Sequence, residues 1–413
     1  GLILNKKEIY SLVIRLSVLL IKFFFVIFLI KNIGVNDYGK WTFLVSLSVY
    51  SVYMVGLDLS STNQKKFIKS IKLERGEILK TQLSLHMLAY PIVFISLLFF
   101  LSDNYSGEVY LLLSLLIISE QISQEIFRYL ISLKKNIEST NVFLIRNGLW
   151  PVIIMIYFQE GVEIIDILLF WLLFSILSVI VGFRYFIKEV EITSSLNGFL
   201  DFSSTRKMFR GTLVFFASTI LGVFFSVGDK ILVGNIFDFQ MLGVYSLFSS
   251  IAIIIPTMTH FVITNSSIGR LMELHINKDW HEYLLLKKDM GVKIVMMSIF
   301  LSLAMVFTLD YFLLYLNKPE LMQLTSLFYY VVITNIVIAL NQIFWIDLFI
   351  ASKYKELVYG NAIPVTLFLF FSYFINSANL DIYYFSILLT LCLLVQTFSF
   401  YFYRKSCIQV GTV

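Results

Sequence analysis

The sequence is poor in the residues on which disulfide-bonded proteins and metalloenzymes depend. Only two of its 413 residues are cysteine and four are histidine. Cys392 and Cys407 are too few for a disulfide framework, and no HExxH or other zinc-binding spacing occurs. Charged residues make up 14% of the chain, against about 25% in an ordinary soluble domain. We therefore expect no metal site and no soluble globular domain.

Catalytic motifs are also missing from the sequence. There is no GxxxxGK[ST] phosphate-binding loop, no glycine-rich nucleotide loop and no nucleophile elbow. No pair of carboxylates has the pattern of a general acid and base. We predict a protein that is not an enzyme, that holds no cofactor and that has no ATPase activity of its own.

Long apolar runs are what the chain has in abundance. Hydrophobic residues make up 58% of it, and the mean hydropathy is +0.84. A bilayer-spanning helix needs about 20 apolar residues, and twelve runs reach that length. They lie at 9–31, 38–60, 81–101, 108–132, 141–159, 164–187, 209–234, 240–266, 290–316, 321–350, 355–376 and 381–403. We predict an all-α integral membrane protein with twelve transmembrane helices.

The loops between these runs alternate in charge. One set is rich in lysine and arginine, as at 65–80, 134–135, 184–210, 270–288, 353–355 and 404–405, whereas the other set is short and mostly acidic. Basic loops stay in the cytoplasm, so both termini are predicted to be cytoplasmic. The outer loops are too short for an extracytoplasmic catalytic domain, which disfavours a polysaccharide polymerase.

The chain divides into two sets of six spans. We predict an N-terminal lobe over 1–188, a cytoplasmic linker over 189–208 and a C-terminal lobe over 209–413. Asn32–Trp41 and Asn235–Tyr245 have similar sequences at an offset of about 204 residues, which aligns Gly39 with Gly243. Since six is even, such halves are related by a pseudo-two-fold axis along the membrane normal.

Two charges interrupt the first span. Arg15 and Lys22 are seven residues apart, so they share a helical face and differ in depth by about 10 Å. A charge at mid-membrane costs about 2.5–3.5 kcal/mol, which favours a face that lines a wet cavity. The alternative is that these side chains snorkel to the interface, above all Arg15, which is nearer the helix end.

Later spans also carry polar residues. Glu120, Gln124 and Arg128 share one face of span four, where Glu125 is spaced to neutralise Arg128. Arg146 lies in span five, and snorkelling is an alternative for both arginines.

Span seven contains the adjacent residues Asp229 and Lys230, which point about 100° apart and do not form one stripe. Asp58 and Asp347 fall near span ends and are expected to be interfacial.

Short motifs in both halves resemble a known family. Gly34, Tyr38 and Gly39 match a turn after the first span, and Gly56–Leu57 match the end of the second. In the second half the matching residues are Asp229, Lys230, Gly243 and Tyr245. The chain resembles the O-antigen (Wzx-type) flippases of the multidrug/oligosaccharidyl-lipid/polysaccharide exporter superfamily.

The resemblance implies two six-helix lobes and transport of an undecaprenyl-diphosphate-linked oligosaccharide across a bacterial inner membrane. It implies a cationic cavity for the diphosphate, to which we assign Arg15, Lys22, Arg128, Arg146 and Lys230. Glu120, Gln124 and Asp229 are the candidates for ion coupling or for other polar contacts in the cavity. Membrane lipids and other polysaccharide-assembly proteins are the implied partners, and no nucleic acid is. The alternative is a drug or small-cation antiporter of the same superfamily, which predicts a negative cavity instead of a positive one.

Overall fold

The structure, a computed structural model, describes residues 6–101, 104–158, 161–191 and 202–404. Within these ranges every regular element is helical. The α-helices are α1 (Lys6–Asn32), α2 (Gly34–Gly56), α3 (Leu59–Lys69), α4 (Lys72–Leu101), α5 (Gly107–Ser132), α6 (Asn136–Leu144), α7 (Trp150–Tyr157), α8 (Ile164–Phe186), α9 (Phe202–Val223), α10 (Asp229–Ile236), α11 (Phe239–Ala252), α12 (Ile254–Thr259), α13 (Asn265–Ile276), α14 (Trp280–Leu316), α15 (Pro319–Gln323), α16 (Thr325–Ile350), α17 (Tyr354–Ser377) and α18 (Ile382–Arg404). Three π-turns at Ile145–Leu149, Phe224–Gly228 and His260–Thr264 join helices within a span, and a 3-10 turn follows α8 at Ile187–Glu189.

The helices confirm the predicted membrane fold. Among the described residues, eleven helical segments are long and apolar enough to cross a bilayer. The pair α2 and α3, bent by 42° at its break, supplies a twelfth if it is counted as one span. Each of the twelve predicted runs corresponds to one of these segments. The protein is therefore an all-α multi-pass membrane protein.

The helices form two compact units. Unit 1 comprises residues 1–34 and 44–220, and unit 2 comprises 35–43 and 221–413. Helix α2 therefore contributes its first turns to unit 2 and the rest to unit 1. Residues 192–201, half of the predicted linker, lie outside the described residues, and the lobe boundaries at 188 and 209 stay a prediction.

The beginning of α2 packs on α11 through two glycines. A Cβ built on Gly39 would collide with the backbone carbonyl of Phe239, and one on Gly243 with the backbone carbonyl of Val35. The contact is reciprocal at the offset of 204 residues, because Val35 corresponds to Phe239 as Gly39 does to Gly243. The repeat seen in the sequence thus has a structural counterpart within unit 2. The sequence motif predicted a turn at Tyr38 and Gly39. Both residues lie inside α2 instead, and the turn between α1 and α2 is at Asn32–Gly34.

Unit 1 has an aromatic core at one end of its helices. Phe67, Tyr129 and Phe186 stack on one another with ring centroids 4.1–6.0 Å apart. All three side chains are buried, and they come from α3, α5 and α8. This core fixes α5 against its neighbours, and the polar residues of α5 are therefore held at defined positions.

Candidate functional site in unit 1

Helix α1 carries its two charges on a face that packs against span five. Ser11 bonds to Thr140 at 2.6 Å, and the adjacent Tyr10 donates to Asn141 at 2.9 Å. Arg15 is half-buried and has no ion pair among the described residues. Lys22 lies two turns further along and donates to Asn147 Oδ1 at 3.0 Å. Of the two cations, only Lys22 has a defined polar partner here.

Span five is locally widened where Lys22 meets it. The proline ring of Pro151 has no N–H to donate to the preceding turn, and the helix adopts a π-turn over Ile145–Leu149. Gly148 lies in this turn, and a Cβ built on it would come within 2.9 Å of Val18 on α1. The missing side chain therefore permits the close approach of α1. The π-turn carries Arg146 and Asn147 beside Lys22.

Arg146 and Glu120 complete this group of charges. Arg146 Nε lies 3.5 Å from Glu120 Oε2, and both side chains are largely buried, each with 12% exposure. Trp171 of α8 donates its indole N–H to Glu120 Oε1 at 2.9 Å, which fixes the carboxylate. Asn147, which accepts the hydrogen bond from Lys22, directly follows Arg146 in the π-turn. We call Lys22, Glu120, Arg146 and Asn147 the Lys22 cluster.

The guanidinium group of Arg146 is incompletely satisfied. Its Nε and Nη1 are buried and make no hydrogen bond within the part of the chain that the structure describes. It also lies over the ring of Phe127, 5.8 Å from the centroid. An unsatisfied buried donor costs about 1–3 kcal/mol or more when charged. A ligand with acceptor oxygens would remove this cost.

Arg128 belongs to a different group of residues. It forms an ion pair with Asp58 at 2.8 Å and donates to Ser60 at 3.1 Å. The expected pairing with Glu125 is not formed within the described residues, and Glu125 accepts from Gln82 at 2.7 Å. We call Asp58, Gln82, Glu125 and Arg128 the Asp58 cluster. Gln124 lines a small cavity beside it, with a volume of about 10 Å³, which is room for about one water molecule.

Asp58 is buried by other side chains, and its position near a membrane interface stays a prediction. Leu57 and Asp58 both have left-handed backbone conformations, with φ of 48° and 50°, at the break between α2 and α3. Each such residue costs on the order of 1 kcal/mol unless its surroundings fix it. The carboxylate accepts from Ser61, Arg128 and Thr219 at 2.6–2.8 Å. These contacts hold the break in place.

In unit 2 the predicted site residues form a compact pair. Lys230 Nζ lies 3.7 Å from Asp229 Oδ1 despite the different directions of the two Cβ atoms, and it also donates to the carbonyl of Ser226. Asp229 accepts from Tyr245 at 2.6 Å. The predicted site residues therefore fall into a Lys22 cluster, an Asp58 cluster and this pair, and Arg15 forms no hydrogen bond or ion pair with any of them.

Sequence reasoning missed two features. Trp171 lies within an apolar run, and nothing in the sequence indicated that its indole N–H bonds to Glu120. Lys287 and Asp347, read as a loop cation and an interfacial acid, form a buried ion pair to which Tyr283 donates at 2.7 Å. Their exposures are 5% and 1%, and only a fold that packs α14 on α16 brings them together.

The chain matches no family model and no curated protein in sequence. Its fold is similar to that of solved transporters. The structure titled lipid II flippase MurJ, inward closed conformation, aligns with a TM-score of 0.70 at 13% identity, covering 96% of this chain and 87% of that one. An outward-facing multidrug resistance MATE family transporter of the MOP superfamily aligns with a TM-score of 0.60 at 12% identity, covering 97% and 94%. The Vibrio cholerae MATE transporter VcmN in its bent form aligns at 0.55 and 12%, with the same coverage. The chain has the fold of these transporters.

Proposed function

We propose that this protein is a flippase that moves an undecaprenyl-diphosphate-linked oligosaccharide, such as an O-antigen repeat unit, from the cytoplasmic to the periplasmic leaflet. The observation that carries the proposal is the Lys22 cluster. It combines an exposed lysine with an arginine whose buried donors lack hydrogen-bond partners. The fold similarity to a lipid II flippase supports it.

The chemistry of the cluster suits a diphosphate. Two cations and one carboxylate give the cluster a net charge of +1, and Arg15 adds a further cation two turns away on α1. A guanidinium group presents its N–H donors as a fork that matches phosphate oxygens, and an ammonium adds a compact point charge. The diphosphate would engage Arg146 and Lys22, while the polyprenyl chain stays in lipid. Glu120 would orient Arg146 and limit how tightly the anion is held.

The remaining assignments follow from this proposal. We place the protein in a bacterial inner membrane with both termini in the cytoplasm, because the basic loops then face inward. The lobes 1–188 and 209–413 would alternate access by rocking about the linker 189–208. Fusion of a reporter that is active only in the periplasm tests the orientation, since fusions at both termini should be inactive.

A second candidate is a drug or small-cation antiporter. The Asp58 cluster favours it, because two carboxylates and one arginine give that cluster a net charge of −1. Two MATE transporters also share the fold. In this case the cargo would be a cation, and Lys22 and Arg146 would have no role in binding it.

Transport in proteoliposomes separates the two candidates. The full chain is reconstituted with a fluorescent undecaprenyl-diphosphate oligosaccharide, and the fraction protected from an external quencher is followed over time. We expect exchange between leaflets with the wild type and strong losses with Lys22→Ala and Arg146→Ala. Lys188→Ala and Arg184→Ala are the matched controls, because they remove exposed cations in the same unit. Transport of a cationic dye without movement of the lipid would refute the flippase and support the antiporter.

A further inference from the structure

Unit 2 has a pocket that the proposed transport does not use. It has a volume of about 490 Å³ and is formed by α14, by Ile343 of α16 and by Arg404 at the end of α18. Basic residues lie on it together with a larger apolar lining. We call it the α14 pocket. All of its lining residues belong to unit 2, whereas the Lys22 cluster belongs to unit 1.

The basic part of the pocket carries uncompensated charge. Lys287 is neutralised by the buried Asp347, and nearby Asp289 is neutralised by Lys293 at 2.6 Å. Lys288 and Arg404 have no carboxylate partner within the described ranges. This part of the pocket therefore has a net charge of +2.

Arg404 is oriented by aromatic rings instead of by an acid. Its guanidinium group lies 4.6 Å from the ring centroid of Tyr401 and 5.2 Å from that of Phe344. Such cation–π contacts hold the group in place and leave its edge N–H donors for another partner. An anion at the pocket would be bound by an arginine that is already positioned.

The apolar part of the pocket continues along one face of α14. Lys288, Val292 and Val295 follow a helical spacing of three and four residues, so they share a face. Val292, Val295 and Met296 are all exposed, at 50%, 40% and 65%. From Lys288 to Met296 the helix rises about 12 Å. A ligand that fits this surface has an anionic head and an apolar chain.

The depth of the pocket agrees with such a ligand. Helix α14 has 37 residues and is about 55 Å long, whereas a hydrocarbon core is about 30 Å thick. Its apolar run begins at about residue 290, so Lys287 and Lys288 are at the level of the lipid headgroups and Val295 is at that of the acyl chains. Anionic lipids concentrate on the cytoplasmic side, and basic pockets between transmembrane helices bind their headgroups.

We propose that the α14 pocket binds an anionic phospholipid, whose phosphate contacts Lys288 and Arg404 and whose acyl chain lies along Val292, Val295 and Met296. The site is independent of the transported lipid and does not require the proposed function. It holds a membrane lipid against the face shared by α14, α16 and α18.

Native mass spectrometry of the detergent-solubilised full chain tests the site. Phosphatidylglycerol or phosphatidylcholine of the same acyl composition is added, and retained lipid is counted. We expect the wild type to retain phosphatidylglycerol. The double variant Lys288→Gln/Arg404→Gln should bind this lipid roughly 10- to 30-fold more weakly than the wild type does. The matched control Lys278→Gln removes an exposed cation of unit 2 that lies outside the pocket and forms no ion pair within the described residues, so it should bind as the wild type does.

A second variant tests the apolar part without changing charge. A Cβ built on Gly291 has only Ile343 side-chain atoms within 4 Å, at 3.6 and 4.0 Å, so we expect Gly291→Leu to fold and to place its side chain in the pocket. It should weaken phosphatidylglycerol retention about as much as the double variant does. Equal retention of phosphatidylcholine, an equal loss in Lys278→Gln, or displacement by inorganic phosphate at the lipid's own concentration would each overturn the proposal.

Discussion

Arg128 and Arg146 are two arginines of unit 1 that the sequence predicts to have the same role, yet their contacts in the structure differ. Arg128 has a carboxylate at 2.8 Å, a hydroxyl at 3.1 Å and the ring of Tyr53 at 5.6 Å. Arg146 has a carboxylate at 3.5 Å and two nitrogens without hydrogen bonds in the described part of the chain. The first arginine is bound by the protein itself, and the second retains capacity to bind something else.

The backbone explains why the two arginines differ. Asp58 stands at a left-handed break between α2 and α3, and Arg128 joins Ser61 and Thr219 in holding its carboxylate. Arg146 stands on a π-turn, a feature that occurs often at functional sites. An intramembrane arginine therefore indicates a binding site only when its own donors are not already used. The following experiments test this distinction.

Removal of Arg128 should have the largest effect on stability. Arg128→Ala leaves Asp58 buried without its counter-ion, and loss of one partner of a buried pair costs about 3–5 kcal/mol. We expect a loss of about 3 kcal/mol in the free energy of unfolding in detergent, since the arginine side chain is 26% exposed. The measurement is chemical denaturation.

A second substitution provides the control for Arg128. Asp58→Asn combined with Arg128→Ala removes the stranded charge and should recover part of the loss. Arg184→Ala, on an exposed arginine of α8, should change stability by less than about 0.5 kcal/mol. If Arg128→Ala were as stable as Arg184→Ala, the structural role given to Arg128 would be wrong.

Removal of Arg146 or Lys22 should instead reduce transport. A hydrogen bond to a charged group contributes about 1.5–3 kcal/mol, which corresponds to roughly 10- to 100-fold in binding. We expect Arg146→Ala and Lys22→Ala to lower the rate of lipid exchange in proteoliposomes by at least about tenfold. Their free energies of unfolding should fall by only about 1 kcal/mol, less than in Arg128→Ala, because Lys22 loses a single bond to Asn147 and Glu120 keeps its bond from Trp171 when Arg146 is removed.

Three outcomes would contradict this distinction between a structural Arg128 and a ligand-binding Arg146. One is a loss of stability in Arg146→Ala as large as in Arg128→Ala. Another is undiminished exchange in both variants. The third is an equal loss of exchange in Lys188→Ala, which would point to a general effect of charge.

The fold followed from the sequence far more completely than the site did. Span length and loop charge are local properties, so the twelve runs were readable from hydropathy alone. The two aligned glycines also mark a contact that the sequence did not predict, since Gly39 and Gly243 each face the backbone near the other. The clusters depend on distant residues: Asp58 and Arg128 are 70 positions apart, and Trp171 and Glu120 are 51. No periodicity reports such pairings, which is why the ion pairs of Asp58 and Asp347 were not predicted.

Substitution of Glu120 tests how the carboxylate beside Arg146 affects anion binding. Glu120→Gln keeps an oxygen that accepts from Trp171 but removes the negative charge beside Arg146. The net charge of the Lys22 cluster rises from +1 to +2, so we expect the lipid diphosphate to bind a few-fold more tightly. Equilibrium binding of the fluorescent lipid in detergent measures this change.

The control for Glu120 is the loss of its hydrogen bond. Glu120→Ala removes the acceptor for Trp171 as well as the charge, and should destabilise the protein by about 1–3 kcal/mol. Weaker binding in Glu120→Gln at normal stability would mean that the carboxylate does not restrain anion binding.

Arg15 should give the smallest effect and decide between the two interpretations of its position. It shares the face of Lys22 but has no ion pair in the described structure and lies near the end of α1. A snorkelling arginine contributes mainly stem packing, so Arg15→Ala should slow lipid exchange by less than about threefold. Arg15→Gln, which keeps most of the stem, should exchange lipid as the wild type does. A loss in both variants as large as that in Lys22→Ala would instead make Arg15 an anion-binding residue, and the binding surface would then extend along two turns of α1.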